Sequence, residues 1–502
     1  MKSFKTILLT TFISLVFSSC SLHLLETLDN NNNGNSNSNN NNNSNSNTNS
    51  NNNNSSIKWI TSVAVGNSTL GDDECLSVAV DDNANVYCAG STSGDLGEPN
   101  GGGTDAFVMK VDSGGVIQWI TQLGATTAST LGIDTSQNDY CNGVIADQLG
   151  NVYCAGNTVG ALGEAQGGVS DAFVMKLNSS GVIQWIRQLG DVTKASIPGH
   201  DTSKEDSCNG VAVDGPNGNV YCAGYTFGSL REPFSGWGDA FIMKLNSSGV
   251  PQWIRQLGTS TSVPGGDTTQ RDYCQGVTVG PDGAVYCAGY TAGSLGEANG
   301  GGYDAFVIKL DNSGNPQWIT QLGSGAVGAA VPGGNTTQND SCEGVATDGS
   351  NVYCAGYTLG ALGEANGGGS DAFAIKLDDH GAVQWITQFG AVTTVAGGSN
   401  SGNDYCNAVA TDGTSVYCAG YTYGNMGELN GGNFDAFVTK LDGTLGVPQW
   451  LTQLGAITSV QWWGDSLGND TCKGVATDGT NAYCAGWVDH NTSDIEAFVM
   501  KL

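Results

Sequence analysis

The stretch DYCNGVIADQLGNVYCAGNT, residues 139–158, sets two cysteines either side of a turn-like Asp-Gln-Leu-Gly-Asn. Nearly the same phrase returns as DSCEGVATDGSNVYCAGYT, residues 340–358, and at five other places in the chain. Short runs of β-branched and aromatic residues bounded by Asp, Gly and Asn favour hairpins over helices. The phrase therefore reads as two antiparallel strands, CNGVIAD and NVYCAGNT, with a tight turn between them.

Working outward, each hairpin is followed by DAFVMKL, a turn of the NSSG type, and a strand of the VIQWIRQLG type. Trp59, Trp119, Trp185, Trp253, Trp318, Trp385 and Trp450 mark that last strand, 60 to 68 residues apart. No part of the repeat carries a sustained helical period. Seven units of four strands predict an all-β fold, a seven-bladed β-propeller of four-stranded antiparallel blades. Phe107, Phe173, Phe241, Phe306, Phe373, Phe437 and Phe498 are expected to pack between blades together with the seven tryptophans. The repeat region opens on a lone Trp strand, IKWITSVAVG, and stops at DIEAFVMKL, a third strand ending at Leu502. The N-terminal strand is thus expected to complete the last blade, close the ring and remove an exposed edge.

The pattern D-x-x-GNVY-AG-T followed by DAFV-KL-x-x-G resembles the bacterial seven-bladed β-propeller repeat family, found mainly in secreted and surface proteins. The resemblance covers residues 57–502 and implies a fold more firmly than an activity. The chain departs from the family pattern in placing Cys after "NVY", where Val is common, and in its long insertions between strands.

The chain begins with Lys2 and Lys5, an apolar stretch, and Ser18-Ser19 before Cys20. This reads as a secretory signal over residues 1–19. Cys20 after small residues resembles a bacterial lipobox and implies lipidation there, although Phe17 stands where Leu is usual. Residues 30–56 are almost entirely Asn and Ser. Such a tract buries too little apolar surface to offset ordering and is read as a tether spanning roughly 28 Å. The expected organisation is a signal peptide (1–19), a lipidated Cys20 with its tether (20–56), and the propeller (57–502). That implies an exported protein, anchored by lipid at the bacterial outer membrane or cell surface.

Beyond Cys20, fourteen cysteines fall two per repeat: Cys75/Cys88, Cys141/Cys154, Cys208/Cys222, Cys274/Cys287, Cys342/Cys354, Cys406/Cys418 and Cys472/Cys484. An even set in an exported chain predicts a disulfide framework. In a flat hairpin the two cysteines of a repeat would lie three residues apart on opposite faces, too far to bond. A bulge at the Gly of C-x-G-V would restore a common face; bridges between neighbouring blades are the alternative.

The formal charge of −30 argues against nucleic acid and anionic membrane surfaces as partners. Asp73, Asp139, Asp206, Asp272, Asp340, Asp404 and Asp470 precede the first strand, and Glu98, Glu164, Glu232, Glu297, Glu364 and Glu428 follow the second. A structural role is expected for both sets, because no loop has the alternating Asp spacing of a calcium loop. Lys110, Lys176, Lys244, Lys309, Lys376, Lys440 and Lys501 recur once per blade and read as charge partners or solvated positions. No metal or cofactor is expected. His23, His200, His380 and His490 are scattered, no nucleophile elbow occurs, and the four arginines Arg187, Arg231, Arg255 and Arg271 form no evident cluster. The sequence therefore predicts a monomeric, non-catalytic binding module for a protein or glycan. A structural envelope scaffold is the alternative, and a propeller enzyme a more distant one. The loops entering each repeat differ strongly, and Trp462 and Trp463 in one of them are the expected binding residues.

Overall fold

The computed structural model describes residues 57–63, 71–189, 204–215, 218–230, 233–234, 236–257, 270–296, 298–322, 338–363, 365–389, 402–426, 430–454, 468–489 and 495–502. They form seven four-stranded antiparallel sheets. In the first blade the strands are Asp73–Val80, Val86–Thr92, Asp105–Val111 and Ile117–Gln122. The seventh combines Asn469–Thr477, Ala482–Asp489 and Ile495–Lys501 with the N-terminal strand Trp59–Val63. Trp59 pairs with Lys501 and Val63 with Ala497, so both chain ends meet in one sheet. The first strands of successive blades lie side by side all the way round, the seventh against the first, which closes the ring.

Six of the seven blade boundaries are held by the same clasp. The half-buried Trp of the outer strand donates Nε1–H to a carbonyl in the following blade's last turn: Trp59 to Ser113 (3.1 Å), Trp119 to Ser179 (3.1 Å), Trp318 to Asp379 (2.7 Å). Two residues on, Thr61, Thr121, Arg187, Arg255, Thr320 and Thr387 donate to the glycine carbonyl of that turn. The turn glycine has no side chain for a reason: at Gly181, with φ of +80°, a Cβ would stand 2.8 Å from the Trp119 ring. The phenylalanines are fully buried between blades, whereas the tryptophans cap the interface from outside.

One element departs from the all-strand expectation. The loop after the first blade contains a short helix, Ala125–Leu131, none of whose residues is buried. Its start is held by Glu98, whose carboxylate accepts from Gly124 N (2.8 Å) and Thr127 N (2.9 Å). A capping carboxylate at a helix N-terminus satisfies orphan donors. No amphipathic period marks this helix, which is why the sequence pattern misses it.

The cysteines are joined within each repeat. The seven bridges are Cys75–Cys88, Cys141–Cys154, Cys208–Cys222, Cys274–Cys287, Cys342–Cys354, Cys406–Cys418 and Cys472–Cys484, with Cα–Cα distances of 5.7 to 5.9 Å. This pairing uses every one of the fourteen and sets aside bridges between neighbouring blades. In every blade the register shifts by one residue just after the first cysteine, as between Cys208 and Gly210. Cys208 then opposes Gly224, two residues from Cys222 and on the same face.

The second-strand partners Cys88, Cys154, Cys222, Cys287, Cys354, Cys418 and Cys484 are all fully buried, and so are the first-strand cysteines. The fourteen are thus the disulfide cysteines that the sequence predicts: each is a crosslink inside the core, with no thiol offered to solvent or to a ligand. The bulge also explains the recurring Cys-Ala-Gly. A Cβ on Gly224 would lie 1.8 Å from the Ser207 carbonyl oxygen, and the matching glycine of every other blade is equally crowded. Each bridge closes a loop of 12 to 14 residues, a size worth about 3 kcal/mol in the chain-entropy picture.

Two outcomes follow from this packing. Deleting residues 57–63 strips one strand from the seventh blade and should lower the melting temperature far more than deleting residues 30–56; equal losses in calorimetry would refute closure by that strand. Gly289→Ala, which forces a Cβ to 1.8 Å from the Tyr273 carbonyl, should destabilise by roughly 2–4 kcal/mol in denaturant titration.

Candidate functional site at the channel mouth

The bulge decides what faces the channel, because the residue after each first cysteine is the extra one. The inner strands approach so closely that a Cβ on Gly210 would be 3.1 Å from Val277 N of the next blade, with Gly143, Gly276 and Gly344 similarly placed. Beside this constriction the bulged side chains of six blades form a polar arc, Leu76 of the first blade being the apolar exception. Asn142, Asn209 and Asn407 each donate to the carbonyl of the next blade's first cysteine, at 3.0, 3.0 and 2.8 Å. Asn209 also donates to Gln275 (2.8 Å), and Gln275 to Glu343 (3.1 Å).

The seventh blade places Lys473 in this arc, within electrostatic reach of Glu343 and of Glu74. Burial lowers the Lys473 amine below the usual lysine range, and the two carboxylates partly restore it. Burial likewise raises Glu343, against hydrogen bonds from Ser341 and Gln275, and raises Glu74 against Lys473. An amine that resists protonation beside carboxyls that resist ionisation suits proton transfer as well as a buried ion pair.

Around these polar side chains, at the end bearing the long loops, stands an arc of aromatic side chains. Tyr225 stacks on Tyr273 (4.4 Å), and Tyr273 meets Tyr290 (5.3 Å), which meets Tyr303 (5.0 Å). A second group runs from Tyr357 to Tyr405 (5.0 Å), Tyr421 (4.8 Å) and Phe434 (5.1 Å), ending edge-on at Trp487 (5.9 Å). All these rings are partly exposed. Tyr290, Tyr357 and Tyr421 are all raised chiefly by burial, Tyr357 to about 12, with neighbouring tyrosines and Glu343 adding to the effect. The arc is not needed by the blade. At the Tyr273 position four other repeats have Glu74, Ser207, Ser341 or Thr471 where Tyr140 and Tyr405 also stand, and at the Tyr225 position two have Ser91 or Asn157. It runs through blades three to seven; of the first two, only the second has an aromatic ring at these positions, Tyr140.

The repeated charges take structural roles. Thr92 donates to Asp73 (2.5 Å), and the same pair forms at Thr226–Asp206, Thr291–Asp272 and Thr422–Asp404. At the start of the third strand a second buried aspartate binds the outer-strand glutamine: Gln122 Nε2 donates to Asp105 (2.9 Å) while its Oε1 accepts from Leu96 N (2.8 Å). Glu98 caps the helix and Glu164 pairs with Arg187 (2.8 Å); Glu232, Glu297, Glu364 and Glu428 lie outside the described residues. All seven lysines sit over the ring of their blade's second-strand tyrosine at 5.1 to 5.7 Å. Cys20, His23, His200, His490, Trp462 and Trp463 fall outside the described residues. His380 is exposed on a turn with Asp378 and Asp379, the one cluster of three metal-ligating side chains among the described residues. The arc escaped sequence reading although its signal was present, as aromatics at positions where other repeats are polar.

Fold and repeat define the chain as a seven-bladed β-propeller. The SBBP beta-propeller repeat pattern matches it at residues 59–97, 118–163, 184–230 and 252–297. No curated protein matches it. Among solved structures it is similar to the polysaccharide lyase Uly1 at 9% identity, covering 85% of this chain and 89% of that one, with a TM-score of 0.41. It is also similar to the β-propeller domain of the Trilobed protease from Pyrococcus furiosus (6% identity, 84% and 93% covered, TM-score 0.38). A Hadza microbial sialidase is another (10% identity, 79% and 73% covered, TM-score 0.37). At such identities the likeness shows the fold alone. It does correct one expectation: a non-catalytic protein does not follow from this sequence, since propellers of this kind occur in a sialidase and a polysaccharide lyase.

The buried acids make a pH-dependent prediction. Burial raises Asp139 to about 7, with Thr158 opposing and Asp105 across the blade boundary adding to the rise. Asp340 is raised to about 7 in the same way, with Asp304 as its neighbour. A folded-state pKa above the unfolded value of ~3.9 gives stability that is full below about pH 4 and lost as pH rises through 7. Asp478 works oppositely: burial alone would raise it, but hydrogen bonds from Asn481 and Tyr483 hold it at about 2. Its contribution is lost only as pH falls below ~4. The melting temperature should therefore be higher at pH 5 than at pH 8, and Asp139→Asn with Asp340→Asn should flatten that difference.

Proposed function

We propose that this exported protein is a lipid-anchored binding module that engages an extracellular partner, a protein or a glycan, at the aromatic mouth of its channel. The observation that carries the reading is the concentration of non-repeat aromatics on one face of an otherwise repetitive ring. A scaffold that packs through interchangeable blades has no use for such asymmetry, whereas loops and rims on a rigid frame are where recognition concentrates. Seven disulfides support an oxidising, extracytoplasmic setting. No described helix is long and apolar enough to cross a membrane, which fits attachment through Cys20.

Orientation supports the same reading. Lys58 N donates to Lys501 O (2.8 Å), so the chain enters the ring at the end bearing the short turns. A tether arriving there leaves the opposite, aromatic face pointing away from the membrane. Metabolic labelling with a fatty acid should mark wild type and not Cys20→Ala. A screen of the purified protein against extracellular proteins and glycans should then find a partner whose binding falls when Tyr405 and Tyr421 are changed to Ser. Binding insensitive to those changes would move the site elsewhere.

A further inference from the structure

Resting on that reading of the aromatic face, the geometry points to a carbohydrate subsite on the third and fourth blades, which we propose takes a neutral oligosaccharide with Trp237 as its stacking platform. The strand tryptophans are half-buried clasps, but Trp237 is 67% exposed and lies outside the repeat pattern, in a loop reading Ser-Gly-Trp-Gly-Asp. Its neighbour Gly238 adopts φ of +131°, and a Cβ there would stand 2.6 Å from Cε1 of Tyr273. The glycine thus lets the Trp237 backbone come down against the Tyr273 ring. Tyr273 is itself fixed, stacked on Tyr225 (4.4 Å) and covered by the Arg271 guanidinium at 5.5 Å. Tyr225 is tied by its hydroxyl to Glu205 (2.7 Å), and Tyr303 accepts from Arg271 Nη1 (3.3 Å).

The Tyr225 and Tyr303 hydroxyls are therefore occupied and the tyrosine rings held in place. Flat, preorganised aromatic faces beside charged hydrogen-bonding groups match a pyranose, which has an apolar C–H face and a polar edge. A second observation points to a missing acceptor: Arg271 Nε is buried and has no hydrogen-bond partner among the described residues. A buried unpaired donor is costly, and a sugar hydroxyl reaching the rim would satisfy it. Neutral rather than acidic sugar follows from charge. Glu205 and the arginine both act electrostatically on Tyr273, and a chain of net charge −30 repels a polyanion.

The test is titration calorimetry with Trp fluorescence on the full-length protein, using cellohexaose, laminarihexaose, maltohexaose and chitohexaose, with polygalacturonate as the acidic comparison. At least one neutral hexaose should bind saturably and quench fluorescence. Trp237→Ala and Tyr273→Ser, which installs the residue other repeats carry, should each weaken it ten-fold or more. Leu149→Ala, at a turn on the opposite face, should leave it unchanged. No binding by any hexaose, binding indifferent to both substitutions, or preference for polygalacturonate would overturn the proposal. A protein partner lost on Trp237→Ala, with no hexaose bound, would sink the carbohydrate subsite while leaving the binding-module reading intact.

Discussion

One extra residue in the innermost strand governs much of this molecule. The bulge after each first cysteine turns that cysteine to the face of its partner, so a disulfide can close across the hairpin. The same kink drives a carbonyl into the neighbouring strand, where only a glycine leaves room. It also frees one side chain per blade to meet the channel, where Asn209, Gln275 and Glu343 link successive blades. Bond, backbone and channel lining are consequences of a single register shift, which is why Cys-x-Gly and Cys-Ala-Gly recur together.

Outside that ring the blades are fastened by a different device. A tryptophan indole and the Thr or Arg two residues on both reach into the next blade's turn, and the glycine there accommodates the indole ring. The lysine over each second-strand tyrosine completes this end of the blade. Such contacts add modestly one at a time, on the order of 1 kcal/mol, but they repeat around a closed ring. Closure matters because an open ring would expose the edges of its terminal strands.

Against this repetition, the differences between blades carry the functional content. The repeat tolerates Glu, Ser, Thr or Tyr at one position and Ser, Asn, Tyr or Trp opposite it. Packing therefore does not choose among them. That five successive blades present contacting aromatic rings at one end, while Lys473 lies within electrostatic reach of Glu343 and Glu74, gives an otherwise regular ring a direction.

The sequence by itself determined the repeat, its four strands, closure by the first strand, and an even cysteine set, because all of these are periodic and local. It also held the bulge as one of two ways to pair the cysteines; the register shift beside Cys342 and Cys406 is what selected Cys354 and Cys418 as their partners. What only tertiary structure decided was which repeat positions meet across blade boundaries. Tyr225 and Tyr273 are 48 residues apart, and their stacking depends on where neighbouring blades abut. Lys473 comes within electrostatic reach of Glu74 because ring closure brings the last blade beside the first. Spacing along the chain describes a blade; contacts between blades arise from the curvature of the whole ring.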